Sequence, residues 1–312
     1  MGKAERIRRM NAREKIAAQQ EAARRAEARR RMFLASGSVL GVLVIVIVLI
    51  IVKAASNTPA AAVGSAASSA TTTAVNSQLA SVPASTLNTV GKGTVTPLIA
   101  TKGQPVLTSG GKPEVVYMGA EYCPYCAAER WGMVVALSRF GTFSGLHLIR
   151  SSNNDIYTNT ATLSFYKSTY TSKYLVFNPV EMYSDKQAGD GYATLQKPTA
   201  AESALMSKYD APPYVPSSAS GSFPFVDIGN QYLISGAQYA PSDLGTTQSV
   251  DPGHFGLTWT QIASDIKNPS SPVAKDIDGV ANSITAAICK ITKNAPASVC
   301  SSTAATAGAG SL

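Results

Sequence analysis

The fold is decided by one stretch, Glu114–Phe140, which reads EVVYMGAEYCPYCAAERWGMVVALSRF. Its first part, Val115–Met118, is a short apolar run that predicts a buried strand. After a brief turn, the CPYC sequence at 123–126 opens a segment with helical apolar periodicity. This segment predicts a helix to Phe140, with Gly141 as its C-terminal glycine. A CxxC pair at a strand-to-helix turn is the arrangement that thiol–disulfide chemistry requires.

The two cysteines of this motif have different expected roles. Cys123 lies among the unpaired amides of the helix N-terminus, which favour a thiolate, so we expect its pKa to be lowered. Cys126 lies one turn further along the helix, close enough to close or resolve a disulfide. Pro124 lacks the N–H that would be unpaired in a first turn, and its ring presets the helical φ.

Several neighbours of the cysteines are candidates for shaping the site. Pro124 and Tyr125 lie between the two cysteines, and Glu121 precedes them. Glu121 and Glu129 could exchange protons with Cys126, or they could complement the positive end of the helix dipole. Arg130 could shape the site or simply cap and pack, and the sequence leaves both interpretations open.

The amino-terminal region has the composition of a membrane anchor with its flanks. Net charge is +8, of which +7 lies in residues 1–31, so the basic balance belongs to a tail and does not indicate nucleic-acid binding. Residues 33–52 carry no charge and are long enough to span a bilayer, with a cleaved signal peptide as the alternative. We predict a basic cytoplasmic tail at 1–32, a single transmembrane helix at 33–52 and a flexible Ala/Ser/Thr linker at 53–94.

The rest of the chain is predicted to form one α/β domain over residues 95–301. Short strands at Val106–Leu107 and Leu146–Ser151, together with Val115–Met118 and the helix, suggest a β-α-β unit with the cysteines at the carboxyl end of its central strand. Residues 155–215 hold eight of the thirteen tyrosines and are too long for a loop, so we expect an insertion or subdomain there. Its tyrosines could form a core or a peptide-binding surface. Residues 302–312 are expected to be a disordered tail.

A hairpin is predicted over Ser222–Ile234, where two alternating apolar runs flank Gly229-Asn230. Pro224 stands just before the first run, where a strand tolerates proline. Phe223 precedes it.

Three helices are predicted between residues 199 and 291. Two begin at capping boxes, Thr199/Glu202 and Thr258/Gln261, and end near residues 209 and 267. A third runs from Pro272 to about residue 291 and is strongly amphipathic.

The second cysteine pair has a different character. Cys289 lies in the last turns of the helix that begins at Pro272, and Cys300 follows an Asn-Ala-Pro turn. We expect a structural Cys289–Cys300 disulfide that closes this short loop, as is common in exported chains.

Several separated motifs resemble a known family. CPYCAAERW, LSRFG, the YTSKY sequence at 170–174 and the FPFV sequence at 223–226 are similar to those of a prokaryotic family of thioredoxin-like proteins described only as a domain of unknown function, over about residues 95–300. The order of elements also resembles the thioredoxin superfamily, particularly its DsbA-like members with an inserted subdomain.

That resemblance implies a fold and roles for individual residues. The implied fold is thioredoxin-like α/β with an inserted Tyr-rich subdomain. Cys123 would be the nucleophile, Cys126 the resolving cysteine and Pro224 a cis-proline that faces them, with Phe223 beside it. The buried acid–lysine pair of ordinary thioredoxins has no clear counterpart in this sequence.

These observations lead to an expected function and an alternative. We expect a membrane-anchored, extracytoplasmic thiol–disulfide oxidoreductase that acts on exported proteins, exchanges electrons with a membrane redox partner and uses no cofactor. The alternative is a redox-inert binding or chaperone-like module of the cell envelope. A metal or haem site is disfavoured because Ala127 follows Cys126, so CxxCH is absent, and because His147 and His254 are isolated.

Overall fold

The computed structural model describes residues 67–312. The predicted cytoplasmic tail, the predicted transmembrane helix and linker residues 53–66 lie outside this range. Within it, no helix is both long and apolar enough to cross a membrane.

The architecture is mixed α/β, with one central sheet, several two-stranded sheets and packed helices. The strands are β1 (Ile99–Ala100), β2 (Thr108–Ser109), β3 (Lys112–Gly119), β4 (Gly141–Ser144), β5 (His147–Arg150), β6 (Ala161–Ser164), β7 (Thr169–Ser172), β8 (Val176–Glu181), β9 (Tyr183–Ala188), β10 (Gly191–Thr194), β11 (Phe225–Ile228) and β12 (Tyr232–Ser235). The α-helices are α1 (Ser69–Ala80), α2 (Ala84–Val90), α3 (Pro124–Ser138), α4 (Ala200–Tyr209), α5 (Trp259–Asp265), α6 (Pro272–Ile291), α7 (Ala297–Cys300) and α8 (Thr303–Gly308). Two 3-10 turns lie at Pro241–Leu244 and Ala309–Ser311.

The central sheet is built around β3. Its strands follow the order β1, β12, β11, β3, and both β2 and β8 also pair with β3. β8 runs parallel to β3, whereas the other pairings of this sheet are antiparallel. β4 pairs with β7, β5 with β6, and β9 with β10 in separate two-stranded sheets.

Apolar side chains cover both faces of the central sheet, because successive residues of a strand point in opposite directions. Val115 and Tyr117 belong to the larger core, which also includes α3 and the buried stripe of α6. Val116 and Met118 pack on the other face in a smaller core with Tyr209 of α4. The sheet is therefore the middle layer of the domain, and β3 delivers the CPYC motif from its centre.

The predicted β-α-β unit is wrong in its third element. Leu146–Ser151 forms β5, but β5 pairs with β6 outside the central sheet, and the parallel neighbour of β3 is β8. The short strand expected at Val106–Leu107 is displaced to β2. The sequence does not predict β8 because Asn178 and Pro179 interrupt its apolar pattern. Proline is tolerated there because β8 lies at the sheet edge and pairs with β3 alone.

The Tyr-rich segment 155–215 is consequently not an insertion apart from the sheet. It contributes the central-sheet strand β8, the small hairpin β9–β10 and helix α4. Its tyrosines differ in burial: Tyr209 is fully buried in the smaller core, whereas Tyr183 and Tyr192 remain half-buried.

The predicted linker and the predicted disordered tail are both wrong within the described residues. Residues 69–90 form α1 and α2, which bury Val75, Leu79 and Leu87 in the larger core. At the other end, α8 packs so closely on α6 that a Cβ at Gly308 would lie 2.1 Å from the Asn282 carbonyl oxygen. Small residues suggested disorder in the sequence, but here they permit this close helix packing.

Several local predictions are confirmed. Both capping boxes are present, Thr199 with Glu202 and Thr258 with Gln261, and α6 spans Pro272–Ile291. The hairpin β11–β12 turns at Gly229-Asn230, where both residues have positive φ.

One local prediction fails at the end of α3. The helix ends at Ser138, and Gly141 begins β4 without a positive φ. Glycine is needed at this position for another reason: a Cβ would lie 2.4 Å from the carbonyl oxygen of Thr171 on the paired strand β7.

Candidate functional site

The CPYC motif lies where β3 passes into α3. Cys123 is the N-cap of the helix, and its sulfur accepts the backbone N–H of Cys126 at 3.2 Å. Pro124 occupies the first helical position, as predicted. The two sulfurs are not bonded to each other. Cys123 is 6% exposed and Cys126 is fully buried, so only the first sulfur borders the surface.

The segment before β11 faces the first cysteine. The Phe223–Pro224 peptide bond is cis, and the carbonyl oxygen of Phe223 lies 3.9 Å from the sulfur of Cys123. The carbonyl of Pro224 accepts the N–H of Gly236, which ties this segment to the chain just after β12. The peptide bond before Pro224 is therefore cis, as the resemblance implied, and Phe223 lies beside the first cysteine.

Aromatic side chains surround the cysteines, and we call five of them the tyrosine rim: Tyr122, Tyr125, Tyr157, Tyr183 and Tyr192. Tyr122 stacks on Tyr192 at 4.0 Å between ring centroids, and Tyr125 meets Tyr157 edge-on at 5.9 Å. Tyr122, Tyr125 and Tyr183 pack directly around the cysteines, together with Phe223.

Sequence reasoning identified Tyr125 in this rim but did not connect three of the others with the cysteines. Tyr183 and Tyr192 arrive from the β9–β10 hairpin, and Tyr157 comes from the loop between β5 and β6. Their high density in residues 155–215 was the available signal. Their partners could not be assigned without the tertiary structure.

A buried ion pair lies behind the motif. The Arg130 guanidinium donates from Nε and Nη2 to the two carboxylate oxygens of Glu181, each at 2.8 Å. Nη2 also donates to the carbonyl of Ala120 at 2.7 Å. Both charged side chains are fully buried. Arg130 thus joins α3 to the end of β8, which decides between the two interpretations that the sequence left open. Glu181 is a site residue that the sequence did not predict.

The two thiols titrate as one pair, because a charge on one sulfur opposes a charge on the other. Burial opposes ionisation of Cys126 most strongly. A hydrogen bond from the Cys123 thiol and the positive charge of Arg130 together outweigh it, and the pKa of Cys126 is lowered. Burial raises the pKa of Cys123, and its interactions with Cys126 raise it further. The expectation of a lowered pKa at Cys123 is therefore wrong, because burial and the neighbouring Cys126 thiol outweigh the helix amide and the charge of Arg130.

The two flanking carboxylates have separate surroundings. Glu121 accepts a hydrogen bond from Ser164 at 2.6 Å, lies 3.9 Å from His147 Nε2, and has a pKa raised by burial. Glu129 is fully buried and accepts the N–H of Gln238 at 3.0 Å, and burial raises its pKa to about 7. Neither carboxylate lies in the first turn of α3, so complementing the helix dipole does not explain them.

The remaining candidates lie away from the CPYC motif. Cys289 and Cys300 are at disulfide distance, with 1.96 Å between their sulfurs, and join the end of α6 to α7. His147 lies in β5, and His254 contacts the carbonyl of Gly245 at 3.1 Å. Across residues 67–312, no three His, Cys, Asp or Glu side chains form a group that could hold a metal ion.

Fold and site together define a mixed α/β protein with a CxxC dithiol at a helix N-terminus opposite a cis-proline. The chain belongs to the family described as a domain of unknown function (DUF929), whose model matches residues 101–290. No curated protein and no solved structure matches the chain.

Proposed function

We propose that this protein is a membrane-anchored, extracytoplasmic thiol–disulfide oxidoreductase that acts on exported proteins through Cys123 and Cys126. One observation carries the proposal: the Cys123 sulfur accepts a helix N-terminal amide on one side and faces the Phe223 carbonyl, beside cis-Pro224, on the other. This arrangement brings the more exposed sulfur of the pair next to backbone that can pair with an extended polypeptide.

The proposal includes a thioredoxin-like fold, which the sheet topology supports. Four strands follow the order β8, β3, β11, β12, in which the strand before the CxxC helix is parallel to β8 and antiparallel to β11. The cis-proline immediately precedes β11, and the long helix α6 follows the hairpin on the same face as α3. This is the order that the sequence resemblance implied, apart from the position of β8.

The reaction proceeds by two exchanges. The Cys126 thiolate accepts a hydrogen bond from the Cys123 thiol and can take its proton. The Cys123 thiolate then attacks one sulfur of a substrate disulfide, forms a mixed disulfide and expels the other substrate sulfur as a thiolate. Cys126 next gives its proton to the expelled substrate thiolate, attacks Cys123, closes the Cys123–Cys126 bond and releases the first substrate sulfur as a thiolate. Two electrons and one proton pass to the substrate, whose other thiolate takes its proton from solvent, and the reverse sequence oxidises a substrate dithiol.

The charge pattern around the predicted membrane span and the second cysteine pair support the proposed extracytoplasmic location. Basic residues 1–31 precede the uncharged run 33–52, a pattern that leaves the tail in the cytoplasm and the domain outside. Cys289 and Cys300 lie at disulfide distance, and such bonds persist in oxidising compartments. A redox partner in the same membrane would restore the active couple after each turnover.

One observation favours the second candidate, a redox-inert binding module of the envelope. Cys126 is fully buried and Cys123 is 6% exposed beneath the tyrosine rim, so a substrate must reach the sulfur past aromatic side chains. A chaperone-like version has less support. Among residues 67–312, the large apolar side chains that are exposed are Val106 and Val250, and two isolated residues do not form a patch for unfolded chains.

The deciding experiment is redox equilibration of the full-length chain, purified in detergent, across glutathione buffers. The state of each cysteine is read by alkylation and mass spectrometry. We expect Cys123 and Cys126 to interconvert reversibly between about −270 and −120 mV, the range from thioredoxin to DsbA, while Cys289–Cys300 stays closed as an internal control. The variant Cys126→Ser should accumulate a mixed disulfide at Cys123. A CPYC pair that keeps one state across the whole range would favour the redox-inert module instead.

A further inference from the structure

Behind the CPYC motif, Tyr117 of β3 carries an unused hydrogen-bond donor. Its side chain is fully buried, and its hydroxyl is among the buried polar atoms of residues 67–312 that have no hydrogen-bond partner. A buried hydroxyl without a partner costs about 1–3 kcal/mol, so its retention calls for an explanation.

The surroundings of Gly119 show where this hydroxyl lies. A Cβ atom at position 119 would be 2.2 Å from the Tyr117 hydroxyl oxygen and 3.0 Å from the sulfur of Cys126. The hydroxyl and the sulfur therefore border the same small space, which exists because residue 119 has no side chain.

The ring of Tyr117 is held firmly in this position. It packs edge-on against Phe165 at 5.1 Å, and the Arg130 guanidinium carbon lies 5.7 Å from its centroid. The charged groups facing it are Arg130, Glu181 and the two cysteines. Burial raises the pKa of Tyr117 well above its usual range, so the phenol keeps its proton and stays available as a hydrogen-bond donor.

We propose that Tyr117 is a positioning residue for the redox reaction, whose hydroxyl donates a hydrogen bond to the Cys126 thiolate when that sulfur becomes charged. The proposal deepens the proposed function and rests on it for its catalytic consequence. The phenol keeps its proton throughout: Cys126 attacks the Cys123 sulfur of the mixed disulfide, the new Cys123–Cys126 bond forms, and the substrate leaves as a thiolate. Tyr117 stabilises the attacking charge and so raises the fraction of Cys126 that can resolve the intermediate.

The decisive test is a thiolate titration that does not require enzymatic turnover. In full-length Cys123→Ser protein, purified in detergent, Cys126 is the one remaining free thiol, and its ionisation is followed by ultraviolet absorbance against pH. Adding Y117F removes the hydroxyl and keeps the ring. We expect the thiolate to be about tenfold less favoured, which corresponds to an upward pKa shift of about one unit.

A matched control is Y209F in the same background. Tyr209 is also fully buried, but it packs against Val116 and Met118 on the opposite face of the sheet, and its hydroxyl has partners in Lys208 and Gln104. Y209F should leave the Cys126 titration unchanged. An unchanged pKa in Y117F, or an equal shift in Y209F, would overturn the role of Tyr117.

Two further readouts separate this inference from the proposed function. Y117F should melt no lower than its parent at a pH where Cys126 is protonated, because the hydroxyl it removes then has no partner. It should slow release of the mixed disulfide up to tenfold at neutral pH. If Y117F does not fold, G119A crowds the hydroxyl directly and should raise the Cys126 pKa in the same way. A wild-type protein that never exchanges with glutathione contradicts the oxidoreductase, whereas normal exchange with an unshifted Y117F titration contradicts Tyr117 alone.

Discussion

The buried pair of Arg130 and Glu181 offers a sharp test of the energetics behind the CPYC motif. Two hydrogen bonds of 2.8 Å join fully buried side chains, and Arg130 also satisfies the carbonyl of Ala120. Glu181 further accepts the N–H of Phe165 at 3.2 Å. Removing one partner leaves the other as an unpaired charge in the protein interior, which is far costlier than losing an exposed pair.

We predict that Arg130→Met lowers the free energy of unfolding by about 3–5 kcal/mol, because Glu181 then stays buried without its cation. Glu181→Met should cost a similar amount for the complementary reason. The double variant should recover most of the loss, since two apolar side chains can replace a buried ion pair at little net cost. Arg130→Met should also raise the pKa at which the dithiol first ionises, because it removes the positive charge that favours the Cys126 thiolate.

The measurement is denaturant unfolding of the full-length variants in detergent, analysed as a double-mutant cycle. The exposed pair Lys186–Asp185 supplies the control: Lys186 is 79% exposed, and Lys186→Met should change stability by no more than about 1 kcal/mol. A loss below about 1 kcal/mol in Arg130→Met, or a double variant no more stable than either single one, would refute the reasoning.

Two other predictions concern parts of the chain away from the cysteines. Leu79→Ala should lower the free energy of unfolding by about 2–5 kcal/mol because α1 buries this side chain in the core. The control Ser77→Ala, at an exposed position of the same helix, should have little effect. A small loss in Leu79→Ala would mean that α1 does not pack on the domain. Asp278 is buried with both carboxylate oxygens unpartnered, and burial raises its pKa to about 8. The folded state therefore favours the protonated carboxyl, and the stability gained from binding this proton is fully present near pH 4 and is lost as pH rises towards 8. Asp278→Asn should therefore raise the free energy of unfolding at pH 8 but not at pH 4, by on the order of 1.4 kcal/mol for each unit of pKa shift. Thermal melts that show the same pH dependence of stability in Asp278→Asn and wild type would contradict this.

Elements defined by neighbouring residues were predictable. A capping box depends on residues three apart, so Thr199 and Thr258 identified the starts of α4 and α5. The apolar stripe of α6 repeats within one helix and specified its length. The position of Pro224 before a Gly229-Asn230 turn likewise identified the β11–β12 hairpin.

Elements that depend on distant partners were not predictable. α1 and α8 contain mostly small residues, which stabilise these helices only by packing closely against α6 and the larger core. β8 includes Pro179, which weakens its strand pattern, and it becomes a strand because β3 offers a parallel edge. In each case, long-range contacts outweighed weak local propensity.

By itself, the sequence determined that Cys123 and Cys126 open a helix after a buried strand, because strand periodicity, proline and helix start are local properties. It also determined that Pro224 precedes a hairpin. Only the tertiary structure decided what surrounds the sulfurs. The pairing of β3 with β8 brings Glu181 to Arg130, and the β9–β10 hairpin brings Tyr192 to Tyr122. These contacts join residues that are 51 or more positions apart, and no local pattern specifies such pairs because burial and charge compensation arise only once the sheet has assembled.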